Sequence, residues 1–317
     1  MSLPGTSTGS SVLARARSAL ALIGLVIGFS IASPAFLTAT NLQNILEQIT
    51  RNAILAVGLT CVILTGGIDL SVGSVVAFSG IVAGLAMEHG VWVPVAILIA
   101  ISVGALCGLF NGALVALAGL PPFIATLGMM SAARGLALMA SAGQPISGFS
   151  PALVALWDGR LGPIPAPLLI MALIYVTFWW ILEHTAFGLH VYALGGNPQA
   201  AWLAGVNTKR TTMAVYGISG ALAGLTAILL TARLNTAQPT AGAVAELEAI
   251  AATVIGGTSL SGGEGRILGT LLGALIMGVL MNGLNLLDVS TYAQKVIIGV
   301  VIVAAVGVDR LSHRRRA

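Results

Sequence analysis

The sequence predicts an all-α fold, a polytopic transmembrane helical bundle of about ten spans. Three observations carry that expectation. The 317 residues are 57% hydrophobic and only 8% charged, whereas soluble domains are roughly 25% charged. Apolar runs recur from residue 19 to residue 308, and a spanning helix needs about 20 apolar residues. The 40 glycines add nothing to a soluble core but suit close helix–helix approach in lipid.

The elements follow in order. Residues 1–18, Ser/Thr/Gly-rich at their start, read as a disordered segment. The apolar run 19–36 follows Arg15 and Arg17; its length and the further spans behind it favour a retained helix over a cleaved signal. Further spans are expected at 45–65, 70–87, 92–118 and, after Pro121-Pro122, at 123–141. Residues 142–166 hold four prolines and read as a long polar loop. Spans at 167–182, 211–232, 268–287 and 296–308 complete the set, with 247–255 as an eighth that is short enough to be a re-entrant half-helix. Residues 19–309 then form one membrane domain and 310–317 a basic tail. With the amino terminus inside and ten crossings, nine of the 14 Lys and Arg fall inside, which is the asymmetry expected of cytoplasmic loops. Both termini are then cytoplasmic. The basic tail lacks interleaved aromatic residues, so it reads as a topology anchor and not as a nucleic-acid patch.

Residues 183–210 separate two apolar runs and contain none long enough to cross. Lys209-Arg210 places this segment on the cytoplasmic face. Gly195-Gly196-Asn197-Pro198 signals a turn, with Asn197 as N-cap and Pro198 at the first helical position of a short helix that Gly205 stops. The segment is either a plain connector or a docking knob for a soluble partner.

Two glycine-rich strings resemble one another: Gly66, Gly67, Asp69 and Ser71 in GGIDLSVG, and Gly256, Gly257 and Ser261 in GGTSLSGG. Each ends one apolar run and begins another, as in transporters with broken helices. Both are expected to be cytoplasmic turns. Asp69 reads as a helix cap or as a buried functional carboxylate. Arg134 falls mid-span, and reads as a carbonyl or ion-pair contact or as the lining of a polar path. Arg51 lies nearer a span end, where its side chain could snorkel. Asn111, Asn282 and Asn285 are either interhelical glue or pathway groups. Gln238 and Glu246, with Glu248, follow an outward-facing stretch and are candidates for contact with an external partner. The four histidines have no metal-ligand spacing, Cys61 and Cys107 no CxxC spacing, and no Gly-Lys exists for a phosphate-binding loop. No metal or cofactor is expected in this chain.

The strings ILTGGIDLSVGSVVAFSG (63–80), FIATLGMMSAARGLA (123–137), YALGGNPQAAWLAGVNTKR (192–210), RLNTAQPTAGAVAELEAIAATVIGGTSLSGGEGRILGTLLGALIMG (233–278) and NGLNLLDVSTYAQ (282–294) resemble the permease subunits of bacterial ABC sugar importers of the ribose class. The resemblance spans about residues 34 to 310. It implies a bacterial inner-membrane protein working beside a second permease chain. It also implies two soluble ATPase subunits that bind ATP and Mg, and a periplasmic sugar-binding protein. Ribose, xylose, arabinose, galactose, fructose and autoinducer-2 permeases share these strings, so they mark the family and not the sugar. The family's coupling segment falls on Gly195, Gly196, Asn197, Ala200, Ala201 and Gly205. The resemblance implies that Ala200 and Ala201 seat the short helix in an ATPase groove; Trp202 and Ala204 depart from the residues common in relatives. A gradient-driven transporter would need intramembrane carboxylates that are scarce here, and a membrane enzyme would need a nucleophile or metal constellation that is not visible.

Overall fold

The computed structural model describes residues 8–314. Residues 1–7 and 315–317, and the side chains of Arg15, Arg17, Arg310 and Arg314, lie outside the described residues, and with them most of the basic tail. In chain order the elements are α1 (Thr8–Ala32), α2 (Ala39–Leu64), α3 (Val72–Glu88), α4 (Val93–Ala116), α5 (Pro122–Ala140), β1 (Ile146–Ser147), α6 (Pro151–Asp158), β2 (Arg160–Leu161), β3 (Ile164–Pro165), α7 (Ala166–His184), α8 (Ala186–Gly196), α9 (Pro198–Leu203), α10 (Thr208–Leu234), β4 (Thr236–Ala237), α11 (Ala245–Ile255), α12 (Ile267–Leu286) and α13 (Thr291–Arg314). The fold is all-α. Its strands are two-residue pairs: β1 runs antiparallel to β4, with Ile146 opposite Ala237, and β2 forms a hairpin with β3.

Six helices among the described residues are long and apolar enough to cross a membrane: α2, α4, α5, α7, α10 and α12. Three shorter apolar stretches join them: Ser18–Ala32 within α1, α3 itself, and Thr291–Ala304 within α13. The expected count of about ten spans is therefore not reached by helix length alone. The eighth expected span is α11, with 11 residues. At 1.5 Å per residue it is about 16 Å long, roughly half the hydrocarbon thickness. Its length is set by its ends. Gly242 and Val244 hold positive φ just before it, and Gly257 just after it. This is the half-helix that the short apolar run 247–255 allowed, and not a full crossing.

Two other expectations need correction. Helix α1 begins at Thr8, inside the stretch read as disordered. Residues 142–166 are not a plain loop: they carry β1, α6 and the β2–β3 hairpin. Gly162, at φ +62, makes the hairpin turn. The β1–β4 pair ties this region to the far end of α10, opposite α9.

Helices α2, α10 and α12 form the buried centre, while α4, α5 and α7 expose most of their surface. Helices α4 and α10 pack through glycine. A Cβ at Gly104 would land on the Gly220 carbonyl oxygen, one at Gly108 on that of Tyr216, and one at Gly224 on that of Ala100. Backbones meet directly there, so van der Waals contact replaces the missing hydrophobic drive between helices in lipid. Gly108→Leu should force these helices apart and cost about 1–3 kcal/mol. The expected readout is a lower thermal midpoint of the purified protein in lipid nanodiscs.

Candidate functional site

At one end of the bundle, α8 and α9 form an elbow. Thr185 caps α8, its hydroxyl accepting from the Gly188 N–H at 3.3 Å. Asn197 caps α9: its Oδ1 accepts from the N–H groups of Gln199 (3.1 Å) and Ala200 (3.0 Å). Pro198 opens the helix, and Gly205 ends it at φ +85. The cap, the proline and the stop thus sit where the sequence places them. The outer face does so only in part. Ala200 is exposed, but Ala201 is buried against its own chain at 4% exposure, while Trp202 (66%) and Leu203 (77%) point outward. A charge at Ala201 would therefore disturb the elbow itself.

Behind the elbow, three loops meet backbone to backbone. Gly195 rests on the Leu64 carbonyl oxygen so closely that a Cβ would overlap it. The Gly263 N–H donates to that same oxygen at 2.9 Å. Gly262, at φ +83, lies between the Gly195 carbonyl and the Gly66 N–H. The Tyr192 hydroxyl adds a bond to the Gly265 carbonyl at 3.0 Å. The two similar glycine-rich strings, far apart in sequence, are thus brought together under one short helix.

From this junction the first turn dives inward. Gly66 is exposed, but Asp69 and Ser71 are each 1% exposed. The Asp69 carboxylate accepts from the Ser71 N–H (2.9 Å), the Ser71 hydroxyl (2.6 Å) and, through its other oxygen, the Ser219 hydroxyl near the middle of α10 (2.9 Å). Asn111 on α4 donates to the Ser71 hydroxyl at 2.9 Å. Asp69 is therefore an interior latch across α3, α4 and α10, not a surface cap. Ser71, at the N-cap position of α3, makes no side-chain capping bond.

Residues 41–306 match the family described as the permease component of the branched-chain amino acid transport system. The chain belongs to this permease family. It is 48% identical over 297 residues to the ribose import permease protein RbsC of Escherichia coli K12, covering 92% of each chain. It is 47% identical to RbsC of Bacillus subtilis, covering 92% of this chain and 91% of that one, and 40% identical to the D-allose transport system permease protein AlsC of E. coli K12, covering 92% and 90%. No solved structure matches.

The remaining polar residues of the permease divide between scaffold and cavity. Arg134, beyond the middle of α5, donates to the carbonyls of Pro239 (2.7 Å) and Ala241 (2.8 Å). It holds the non-helical entrance to α11, the carbonyl contact that was one of its two readings. Asn282 and Asn41 exchange amide hydrogen bonds, both at 2.9 Å, and are buried together between α12 and α2. Such a pair is worth about 1 kcal/mol as interhelical glue. Asn111 serves the Asp69 latch. Asn285 lines a cavity, where its Oδ1 also accepts from Gln294 at 2.7 Å. Gln238 is exposed. Glu246 turns toward buried Gly73 and interacts electrostatically with Arg134. Arg51 is not at a span end; it sits mid-way along α2, 3.5 Å from Glu248. No group of three or more His, Cys, Asp or Glu among the described residues is placed to hold a metal.

Sequence reasoning noted Trp202 only as a departure from relatives, and missed Leu203 and the Arg51–Glu248 contact. Leu203 was legible as a large apolar residue on a capped helix. The Arg51–Glu248 contact needed the fold, since 197 residues separate the partners. Asp69→Leu should strand the Ser71 and Ser219 donors, at about 1–3 kcal/mol per unsatisfied group. Asp69→Asn, which keeps an acceptor, should lose less. Thermal unfolding of both variants in nanodiscs checks the order.

Proposed function

We propose that this permease is the membrane-spanning subunit of an ATP-driven importer that carries a monosaccharide, ribose or a related sugar, from the periplasm to the cytoplasm. Family membership and the ribose and allose permeases among its relatives support the substrate class. The observation that carries the mechanism is the elbow: an exposed apolar helix α9 whose base is locked, without intervening side chains, to both interrupted helices.

In this reading two soluble ATPase subunits bind ATP and Mg and dock on α9, on the cytoplasmic face of the inner membrane. Both termini lie on that face. Trp202 and Leu203 enter an ATPase groove as the apolar anchors of a helix-in-groove contact. A second permease chain completes the conduit, and a periplasmic binding protein delivers the sugar at the opposite end. Residues 183–210 act as the coupling segment. ATP-driven closure of the ATPases displaces α8–α9. Gly195 passes the displacement to the end of α2 and to the 256–265 turn, because backbone touches backbone there and no flexible side chain absorbs it. The helices then rock between outward-open and inward-open arrangements.

Reconstitution tests this. Proteoliposomes with the permease, its ATPase and its binding protein should accumulate ribose only with ATP. Accumulation without the ATPase overturns the reading. Trp202→Glu, exposed and therefore neutral for folding, should cut ATP-driven uptake about tenfold or more, equivalent to about 1.4 kcal/mol, with insertion unchanged. Gly195→Ala should also uncouple hydrolysis from uptake, measured as sugar moved per ATP.

A further inference from the structure

A polar cavity of about 120 Å³ opens between α2, α11 and α12, with Arg233 of α10 also in its wall. Its polar lining is Gln48, Arg51, Asn52, Glu248, Asn285 and Arg233. The Arg51 Nε donates to the Asn52 Oδ1 at 3.1 Å, and Asn52 donates in turn to Glu248, which also faces the Arg51 guanidinium at 3.5 Å. Arg233 lies over the Trp157 ring, 5.3 Å from its centroid, and interacts electrostatically with Arg51, which repels it, and with Glu47, which attracts it. Glu248 answers the Arg51 guanidinium, while Arg233 is held over the Trp157 ring. What the wall offers is a set of hydrogen-bond donors and acceptors, Gln48, Asn52 and Asn285 among them, beside apolar Ile49, Met277 and Met281. A few polar groups set in apolar surface suit a polyhydroxyl solute, which carries hydroxyls on a C–H framework.

The same face of α2 continues away from the junction. Asn44, Gln48 and Arg51 follow at helical spacing, with Asn44 exposed and Gln48 and Arg51 half-buried. A guanidinium at the helix centre costs about 2.5–3.5 kcal/mol against lipid, so this stripe faces water.

We infer that this cavity is a sugar-contacting site, with Gln48 and Asn285 meeting solute hydroxyls and the Arg51–Asn52–Glu248 cluster holding the wall that positions them. This rests on the importer reading above.

Gln48→Cys and Asn285→Cys, each in the full chain and expressed with its partner subunits in cells, test it. Cys61 is buried and Cys107 half-buried, so the wild-type chain serves as the background. Cells are treated with 2-aminoethyl methanethiosulfonate, a small hydrophilic thiol reagent. Labelling is read by mass spectrometry and transport by uptake of radiolabelled ribose. Both cysteines should label, ribose present during treatment should slow the labelling, and labelling should lower the uptake rate about tenfold or more. Two cysteines that stay unlabelled while wild-type cells take up ribose overturn the inference. So do two that label with uptake intact. If wild-type cells take up no ribose, the sugar named above is wrong; cysteines that then label and are protected by another neutral sugar still uphold the site.

Discussion

The constraint on which this structure depends is that helices are interrupted inside an apolar medium. Every broken helix exposes N–H and C=O groups that water cannot reach there, and each one left unmatched costs several kcal/mol. The chain meets this with groups brought from elsewhere. The carbonyls of Pro239 and Ala241, at the entrance to α11, receive the Arg134 guanidinium. The Ile68 carbonyl receives the Tyr216 hydroxyl at 3.3 Å. The Leu64 carbonyl, at the end of α2, receives the Gly263 N–H. Charged and aromatic residues that look anomalous in apolar spans are therefore the complement of the breaks. Arg134 is expensive in a membrane only until the carbonyls it serves are counted.

Glycine supplies the second half of that solution. Along α4 and α10 it lets two long helices touch at backbone distance, so the outer layer adheres to the centre without polar groups. At the junction it has a different use. Gly195 meets Leu64 with no side chain between, while Gly262 and Gly263 hold φ of +83° and +75° that few other residues adopt. Helix packing tolerates a small shift, because lipid fills the gap. The junction does not, because three loops share one carbonyl oxygen and its neighbours. A direct backbone-to-backbone contact thus lies behind the exposed short helix α9.

Most of the architecture was legible in the sequence, because apolar run length reports lipid burial directly. The cap of α9 was legible for a separate reason: Asn197, Pro198 and Gly205 act through local backbone geometry and need no tertiary partner. The shortness of α11 was legible too: residues 247–255 read as short for a full crossing, and the helix has 11 residues. The burial of Ala201 beside the exposure of Trp202 was not. On a six-residue helix a rotation of one position exchanges the inner and outer faces, and composition does not fix that rotation. The Asp69 latch was half legible. Its side chain does accept a backbone N–H, but its depth follows from Ser219, 150 residues away.

In the proposed importer, the same geometry would let a lever at one end act deeper in the bundle. Arg51 and Glu248 face each other across the cavity wall, and each lies on a rigid element that runs to the junction. Arg51 is carried by α2, whose last residue, Leu64, is the one that Gly195 and Gly263 grip. Glu248 is carried by α11, whose exit at Gly256 leads into the 256–265 turn. Helix α11 is short, so it transmits motion without bending. In that proposal a displacement of α9 would reach both sides of the Arg51–Glu248 contact, along two separate helices. Unless the two helices moved identically, the contact would shear. A full-length crossing in place of α11 would have been held at both membrane faces; a half-helix is free to follow the turn.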